Sequence, residues 1–430
     1  MGTLRLVTLR CVSLAFICWG CGGSGTAKSA LVTPAGGNGT GGNGTGGNGS
    51  DAGGAGGAGV KVEVLACDDV KPGSGWLEVT PPGDLGDSSL IALDPLHIGT
   101  IYVQMHKGGN GGHFPTDGLY KSPDCGATWS KVPAGRNATD EKNAAGNVVN
   151  IHTGSLVSLI IDPNEPGVMY TTSNYGPTGI YKSMNSGIDW DQIIPADLQP
   201  YLDRGGWFNS LSADPTDPKH LVAATHTGCM GNYAPNCLAE TRNGGLTWRL
   251  IHAPESGNEQ CGPYILNATT LIYASGQNGA WVTSNDTPEN DTPTWTKISQ
   301  GANGGDTGLF PYKASNGKYY LGSDYGVLEG SADFLTWTLV ANSPHPVVFV
   351  VGTGENMFAA SRSADFYTSK EADPNTWSKL AVPGTAPDVA GRWLAYDTKH
   401  KLLYSTIWGD GGGGPNGKLG SGGLFRLPTP

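Results

Sequence analysis

The chain has 430 residues and a formal net charge of −11, with only 15% charged side chains and 68 glycines. An acidic, sparsely charged surface excludes nucleic acid as a partner and offers no polybasic patch to lipid. Abundant Gly, Pro and aromatic residues describe a β-protein with long loops.

In chain order, the first element is a leader. Arg5 and Arg10 precede the run Cys11–Trp19, apolar but too short to span a bilayer, and Gly20-Cys21-Gly22-Gly23 follows. A basic start, a short apolar stretch and a small-residue exit make an export signal. The Gly before Cys21 resembles a bacterial lipoprotein cleavage site. That resemblance implies a signal at residues 1–21, lipid on Cys21 and an outer-membrane or cell-surface location; plain secretion is the alternative. Residues 22–60 are expected to act as a disordered tether: from Ala35 to Gly59 they repeat Gly-Gly-Asn-Gly-Thr and then Gly-Gly-Ala, a composition that buries no core. Residues 61–430 are then one folded domain, expected to be monomeric, and no further apolar run is long enough to cross a membrane.

Within that domain tryptophans recur, each closing a short polar turn. Trp129 ends Ser122-Pro-Asp124-Cys-Gly126-Ala-Thr128-Trp129, and Trp190 and Trp248 end matching turns that open at Ser183 and Thr241. Trp295 (after Ser284), Trp337 (after Ser331) and Trp377 (after Ser369) end looser versions, and Trp76 carries only the second half. Successive tryptophans lie 53, 61, 58, 47, 42 and 40 residues apart, about one four-stranded blade each. The turn has a physical logic: a short acceptor side chain bonds the N–H groups of its own turn, and Gly supplies a backbone angle that a side chain opposes. The sequence is therefore read as an all-β, seven-bladed β-propeller.

These turns resemble the Asp-box, or bacterial neuraminidase, repeat family, which includes sialidases, xyloglucanases and sortilin-like propellers. The resemblance covers roughly Trp76 to Pro430. It is specific for fold and weak for activity, because the turn is structural in that family.

Each unit reads as strand A, often ending in Asp-Pro, then strand B, strand C leading into the turn, and strand D beginning at Trp. Blade one gives Ser89–Pro95, Thr100–Gln104, Gly118–Ser122 and Trp129; blade two repeats this with Ser158–Pro163, Val168–Thr172, Gly179–Ser183 and Trp190. The last unit, Trp393–Asp397 through Gly423–Leu427, has three strands, and the segment around Trp76 is expected to supply the fourth and close the ring. The A–B and C–D turns share a bottom face, and the longer B–C and D–A loops share a top face, where a ligand would bind.

Five cysteines follow Cys21. Cys229 and Cys237 bracket one loop and are expected to pair, and Cys67 and Cys125 fall near turns of adjacent blades, where they could staple the ring closure. Cys261 is left over or competes for the loop pair. No pair among these five has CxxC spacing, so no thiolate metal site is expected.

Counting five residues on from the start of strand B gives His106, Asn174, His226, Gln277, Asp324, Arg362 and Trp408 in blades one to seven. Nearby positions assigned to top loops add His113, His152, Arg204, Trp207, Tyr264, Asp306, Tyr312, Arg392 and Trp393. Sialidases grip a carboxylate with three arginines, and Arg204, Arg362 and Arg392 are available, but the early arginine motif is missing, Arg136 being the first after the leader. Xyloglucanases place an Asp at the end of strand B in their first blade, where this chain has His106. Asp324 with Asp306 leaves a different glycoside hydrolase open.

The rim suits uronate β-elimination better. An Arg can hold the sugar carboxylate bidentately, Asn174 and Gln277 can donate to it, and His106 or His226 can take the C5 proton. Trp207, Trp393 and Trp408 can stack on sugar faces. The expectation is thus an acidic polysaccharide or glycan as partner, with neither metal nor other cofactor. A non-catalytic glycan-binding or scaffolding propeller is the opposing reading.

Overall fold

The computed structural model describes residues 62–67, 70–71, 74–82, 87–106, 117–136, 141–142, 148–149, 151, 156–173, 178–202, 207–225, 228–254, 260–275, 279–299, 311–323, 325–331, 335–361, 365–382, 390–408 and 423–430. The expectations for residues 1–61, Cys21 and the tether among them, fall outside these.

The described residues form seven four-stranded antiparallel sheets, and their only helices are two single 3-10 turns, Gln199–Tyr201 and Gly231–Tyr233. Blade one orders Asp87–Leu93, Ile101–His106, Gly118–Ser122 and Ser130–Lys131 from strand A to strand D. Blades two to six repeat that order. Inner strands of neighbouring blades touch one another, so strand A lines the axis.

Strand B departs from simple alternation. Leu221–Thr225 and Tyr319–Ser323 are buried along their whole length, because each blade is sandwiched between two others. Both sides of the middle strands therefore read as apolar or small, while outer strands such as Asp191–Gln192 are exposed.

The polar turns do what their residues imply. Ser122 Oγ accepts the N–H of Gly126 at 2.7 Å, and Asp124 Oδ1 accepts that of Thr128 at 2.8 Å. The same pair of bonds recurs at Ser183 and Asn185 and at Thr241 and Asn243. Gly126, Gly187 and Gly245 sit at φ +93°, +85° and +90°, which other residues rarely adopt. Burial opposes the charge on Asp124, but the bonds from Thr128 and Ser122 outweigh it and hold the carboxyl below its usual range. In blade four Thr283, not Ser284, opens the turn: its Oγ1 accepts the N–H of Asn285, whose Oδ1 accepts that of Thr294 at 3.0 Å.

A backbone N–H of the C–D turn reaches the A–B turn of the same blade in five blades. Cys125 donates to Gly99 O, Ser186 to Gly167 O, Gly244 to Lys219 O, Asp286 to Thr269 O and Glu371 to Glu355 O. Both kinds of turn thus share the bottom face, and the ends of strand B point to the top.

Blade seven is closed by Leu77–Glu78, which pairs antiparallel with Gly423–Pro428. Upstream, Glu63–Val64 lies parallel to His97–Ile98 on blade one, and His400 of blade seven bonds Leu65 O at 2.7 Å. Both expected disulfides form: Cys67–Cys125, with 5.6 Å between Cα atoms, ties this strap to blade one, and Cys229–Cys237, at 5.7 Å, closes a loop of blade three. Cys261 lies in the inner strand Gln260–Asn267.

Candidate functional site: the top rim

Register fixes which residues are equivalent at the rim. Ile101, Met169, Leu221, Leu271 and Met357 each pair with the hydroxyl residue that opens the turn of their blade: Ser122, Ser183, Thr241, Thr283 and Ser369. Five residues on from them stand His106, Asn174, His226, Gly276 and Arg362, so Gln277 is one residue beyond the equivalent position. In blade five Tyr319 pairs with Gly330, next to Ser331, and the count gives Asp324. In blade seven Leu403 faces Tyr396 as Ile101 faces Leu93, and the count gives Trp408.

The backbones of His106 and Trp408 end their strands at the top, paired with Asp87 and Ala390. Asn174, Arg204, His226, Gln277, Asp324 and Arg362 lie outside the described residues, as do His113, His152 and Asp306. Asn174, His226, Asp324, Arg362 and His152 each directly follow a described residue.

Strand B of blades two to six ends on a hydroxyl residue: Ser173, Thr225, Ser275, Ser323 and Ser361. Two of these side chains bond a residue just downstream: Ser323 Oγ donates to Gly326 O at 2.8 Å, and Ser361 Oγ accepts the N–H of Asp365 at 3.2 Å. Sequence inspection could have found this row, since each hydroxyl stands one or two residues before a predicted rim position.

A second feature was not legible. Among the described residues, strand A of blades one to four, six and seven carries a bulge near its top end, adding Ser89, Val157, Asn209, Gly262, Val348 and Arg392 as the extra residue. A bulge re-aims a side chain and increases local twist, and bulges gather beside active sites. Arg392, a predicted substrate-binding residue, holds such a backbone position, and so does Asn209, which the sequence did not single out.

The aromatic candidates separate from the rest by depth. Trp207 is 7% exposed and Trp393 is 8% exposed, its ring packed on Phe349 at 5.1 Å between centroids. Rings this deep can offer a ligand an edge at most. Tyr264 and Tyr312 do not belong to top loops. Tyr264 is buried within the inner strand of blade four, and Tyr312 lies on the bottom face, where its hydroxyl donates to Glu371. Burial and that carboxylate push the Tyr312 hydroxyl well above its usual range.

One sector collects more candidates than any other. Trp207 leads into strand A of blade three, Phe208–Ala213, whose Phe208 pairs with Thr225, the residue before His226. Arg204 and Asn209 flank the same strand end. Strand B of blade two packs against this strand and ends at Ser173, the residue before Asn174. Beneath this rim Ser173 Oγ and Ser210 Oγ have no hydrogen-bond partner among the described residues, although Ser173 is 0% and Ser210 8% exposed. A buried hydroxyl left unbonded costs about 1–3 kcal/mol.

The strongest electrostatic perturbation is on the opposite face. Glu240 and Asp286, both buried, share Arg242 and Arg249 in a network between blades three and four, and His220 Nε2 meets Glu240 Oε1 at 2.8 Å. Two groups of side chains bring metal-ligating atoms within 4.8 Å of one another among the described residues. Glu240 and Asp286 are held by the two arginines, His220 is engaged by Asp214 and Glu240, and Cys67 and Cys125, beside His400, are joined as a disulfide. Neither donor set fits a cation.

No protein-family model and no curated protein matches the chain. Solved structures share its fold. YCF48 from Cyanidioschyzon merolae is 11% identical over 82% of this chain and 98% of that one, with a TM-score of 0.52. Streptogramin B lyase is 8% identical over 82% and 96%, also at 0.52. The extracellular domain of the hybrid two component system BT3049 from B. thetaiotaomicron is 13% identical over 80% of this chain and 40% of that one, at 0.52. All are β-propellers, and identities this low carry the fold alone.

Proposed function

We propose that this chain is an exported, carbohydrate-active β-propeller of the Asp-box type. It would be tethered through a lipoprotein-type leader and would cleave an acidic polysaccharide by β-elimination at the rim between blades two and three. The observation that supports this reading is the sector itself: Asn174 and His226 directly follow Ser173 and Thr225, Trp207 leads into Phe208 with Arg204 three residues before it in sequence, and these strand ends meet above two buried hydroxyls that have no partner among the described residues.

In this reading Arg204 and Asn174 hold the uronate carboxylate, drawing charge from C5. His226 takes the C5 proton. The electron pair forms the C4–C5 double bond, the C4–O bond breaks, and the leaving oxygen takes a proton from an acid, for which His106 is the second rim histidine. Asp324, Gln277, Arg362, Arg392 and Trp408 contribute contacts to a longer chain from the other blades.

The test is a screen of the purified protein against acidic and neutral polysaccharides. Ultraviolet absorbance of an unsaturated uronate would be followed beside release of reducing ends. Both signals rising together is the expected result. Reducing ends without absorbance would give the reaction to an Asp-dependent hydrolase, and binding without either would leave a non-catalytic glycan binder.

A further inference from the structure

Two stretches adjoin the proposed sector, and they are fastened to each other. The first, Leu198–Leu202, leads toward Arg204; the second, Gly228–Cys237, follows His226. Leu202 forms an isolated antiparallel bridge with Cys229, and the N–H of Met230 donates to Tyr201 O at 2.9 Å. Tyr201 and Tyr233 meet edge to face with centroids 5.4 Å apart, and Tyr233 packs on His252 at 5.2 Å. Within the second stretch the N–H of Cys229 donates to Pro235 O at 2.9 Å. That close approach requires Gly228, since a Cβ there would lie 2.5 Å from the same oxygen. The Cys229–Cys237 disulfide closes this loop over a separation of 8 residues and roots it in strand C of blade three, where Cys237 is buried. Thr225 Oγ1 contacts Cys229 Sγ at 3.8 Å, so the clasp also touches the residue before His226.

We infer that Cys229, Cys237 and Tyr201 form a clamp that positions the two loops of the candidate site, so that breaking the cross-link lowers its ligand affinity. The inference rests on the proposed function for the identity of the ligand but not for the clamp itself. A dithiol would open it by donating two electrons. The S–S bond breaks, each sulfur takes a proton to become a thiol, and the dithiol leaves as its own disulfide. A short loop freed of its cross-link regains conformations that the bridge had removed, and the bridge to Leu202 loosens with it.

The test uses the full chain, with wild type compared with Cys229→Ser, Tyr201→Ala and Tyr201→Phe, and with wild type reduced by a dithiol. Amide hydrogen exchange is read over residues 198–202 and 228–237, with residues 347–361 of blade six as reference, and affinity is read with oligogalacturonate as the probe. Cys229→Ser and Tyr201→Ala should each speed exchange at Met230 by about tenfold or more, leave blade six unchanged and weaken the probe by about tenfold. Tyr201→Phe, which keeps the ring contact, should match wild type, and reduced wild type, in which Cys67–Cys125 is also open, should match Cys229→Ser in exchange over residues 198–202 and 228–237. Unchanged exchange over residues 198–202 in Cys229→Ser would overturn the clamp, as would full affinity in a loop shown to have opened. If wild type binds no uronate oligomer, the proposed function fails alone, because the exchange data still decide whether the clamp exists.

Discussion

Arg426 Nη1 donates to the carbonyl oxygen of Cys125 at 2.6 Å, across the junction where blade seven meets blade one. The side chain is 1% exposed, and Tyr404 OH reaches the same oxygen at 3.2 Å. Replacing Arg426 with Ala removes a buried charge-assisted donor and opens a gap. It is expected to destabilise the fold by about 2–4 kcal/mol, seen as a lower midpoint in urea and faster cleavage of the strap by protease. An unchanged midpoint would show that the junction is held by the paired strands and the disulfide alone.

The network between blades three and four gives a pH dependence. Burial pushes the Asp286 carboxyl up to about 7, Glu240 beside it adds to the rise, and Arg249 and Arg242 pull the other way. A carboxyl raised above its unfolded value contributes stability that is complete below that unfolded value and is lost as pH rises through about 7. The free energy of unfolding should therefore fall between about pH 4 and pH 7 and level off above that. Asp286→Asn should flatten that fall. A wild-type profile already flat over this interval would refute the raised Asp286 carboxyl.

Trp190 is fully buried, whereas Leu246, at the tip of the next turn along the chain, is 81% exposed. Trp190→Ala is expected to cost about 3–5 kcal/mol, through lost burial and the cavity left behind. Leu246→Ser should change stability by no more than about 0.5 kcal/mol. Equal effects in thermal unfolding would contradict the packing described here.

For the proposed reaction, His226→Ala should lower turnover by about 10²–10⁴ with the fold intact. Arg204→Lys should raise KM and lower kcat despite keeping its charge, because Lys lacks the planar fork. His106→Ala and Arg362→Lys, on other blades, should be milder. If the milder pair proves the more damaging, the chemistry belongs on a different sector of the rim.

Sequence legibility followed distance along the chain. The turn from Ser122 to Trp129 carries its hydroxyl, carboxylate, glycine and indole within one local unit, so it could be read directly, and so could the pairing of Cys229 with Cys237. The closure of blade seven was legible because the missing fourth strand left a count to complete. The bulges at Asn209 and Arg392 were not, since they depend on how inner strands crowd around the axis. Trp393 looked like a sugar platform until its packing against Phe349 was known, and a one-residue shift in blade four separated Gln277 from its equivalent position. Side-chain chemistry was visible in the sequence, but depth was not.

Leu77 pairs with Arg426, and Trp76 Nε1 donates to Ala381 O, 305 residues further along. The strand that seals the ring is therefore among the first made, yet its partner is among the last. During synthesis Leu77–Glu78 must stay unpaired while six blades form behind it, and only then can the circle shut. A chain stalled before residue 423 would present two unmatched sheet edges at once, the open side of blade seven and the orphaned early strand. Such a fragment would tend to join with others of its kind rather than fold alone.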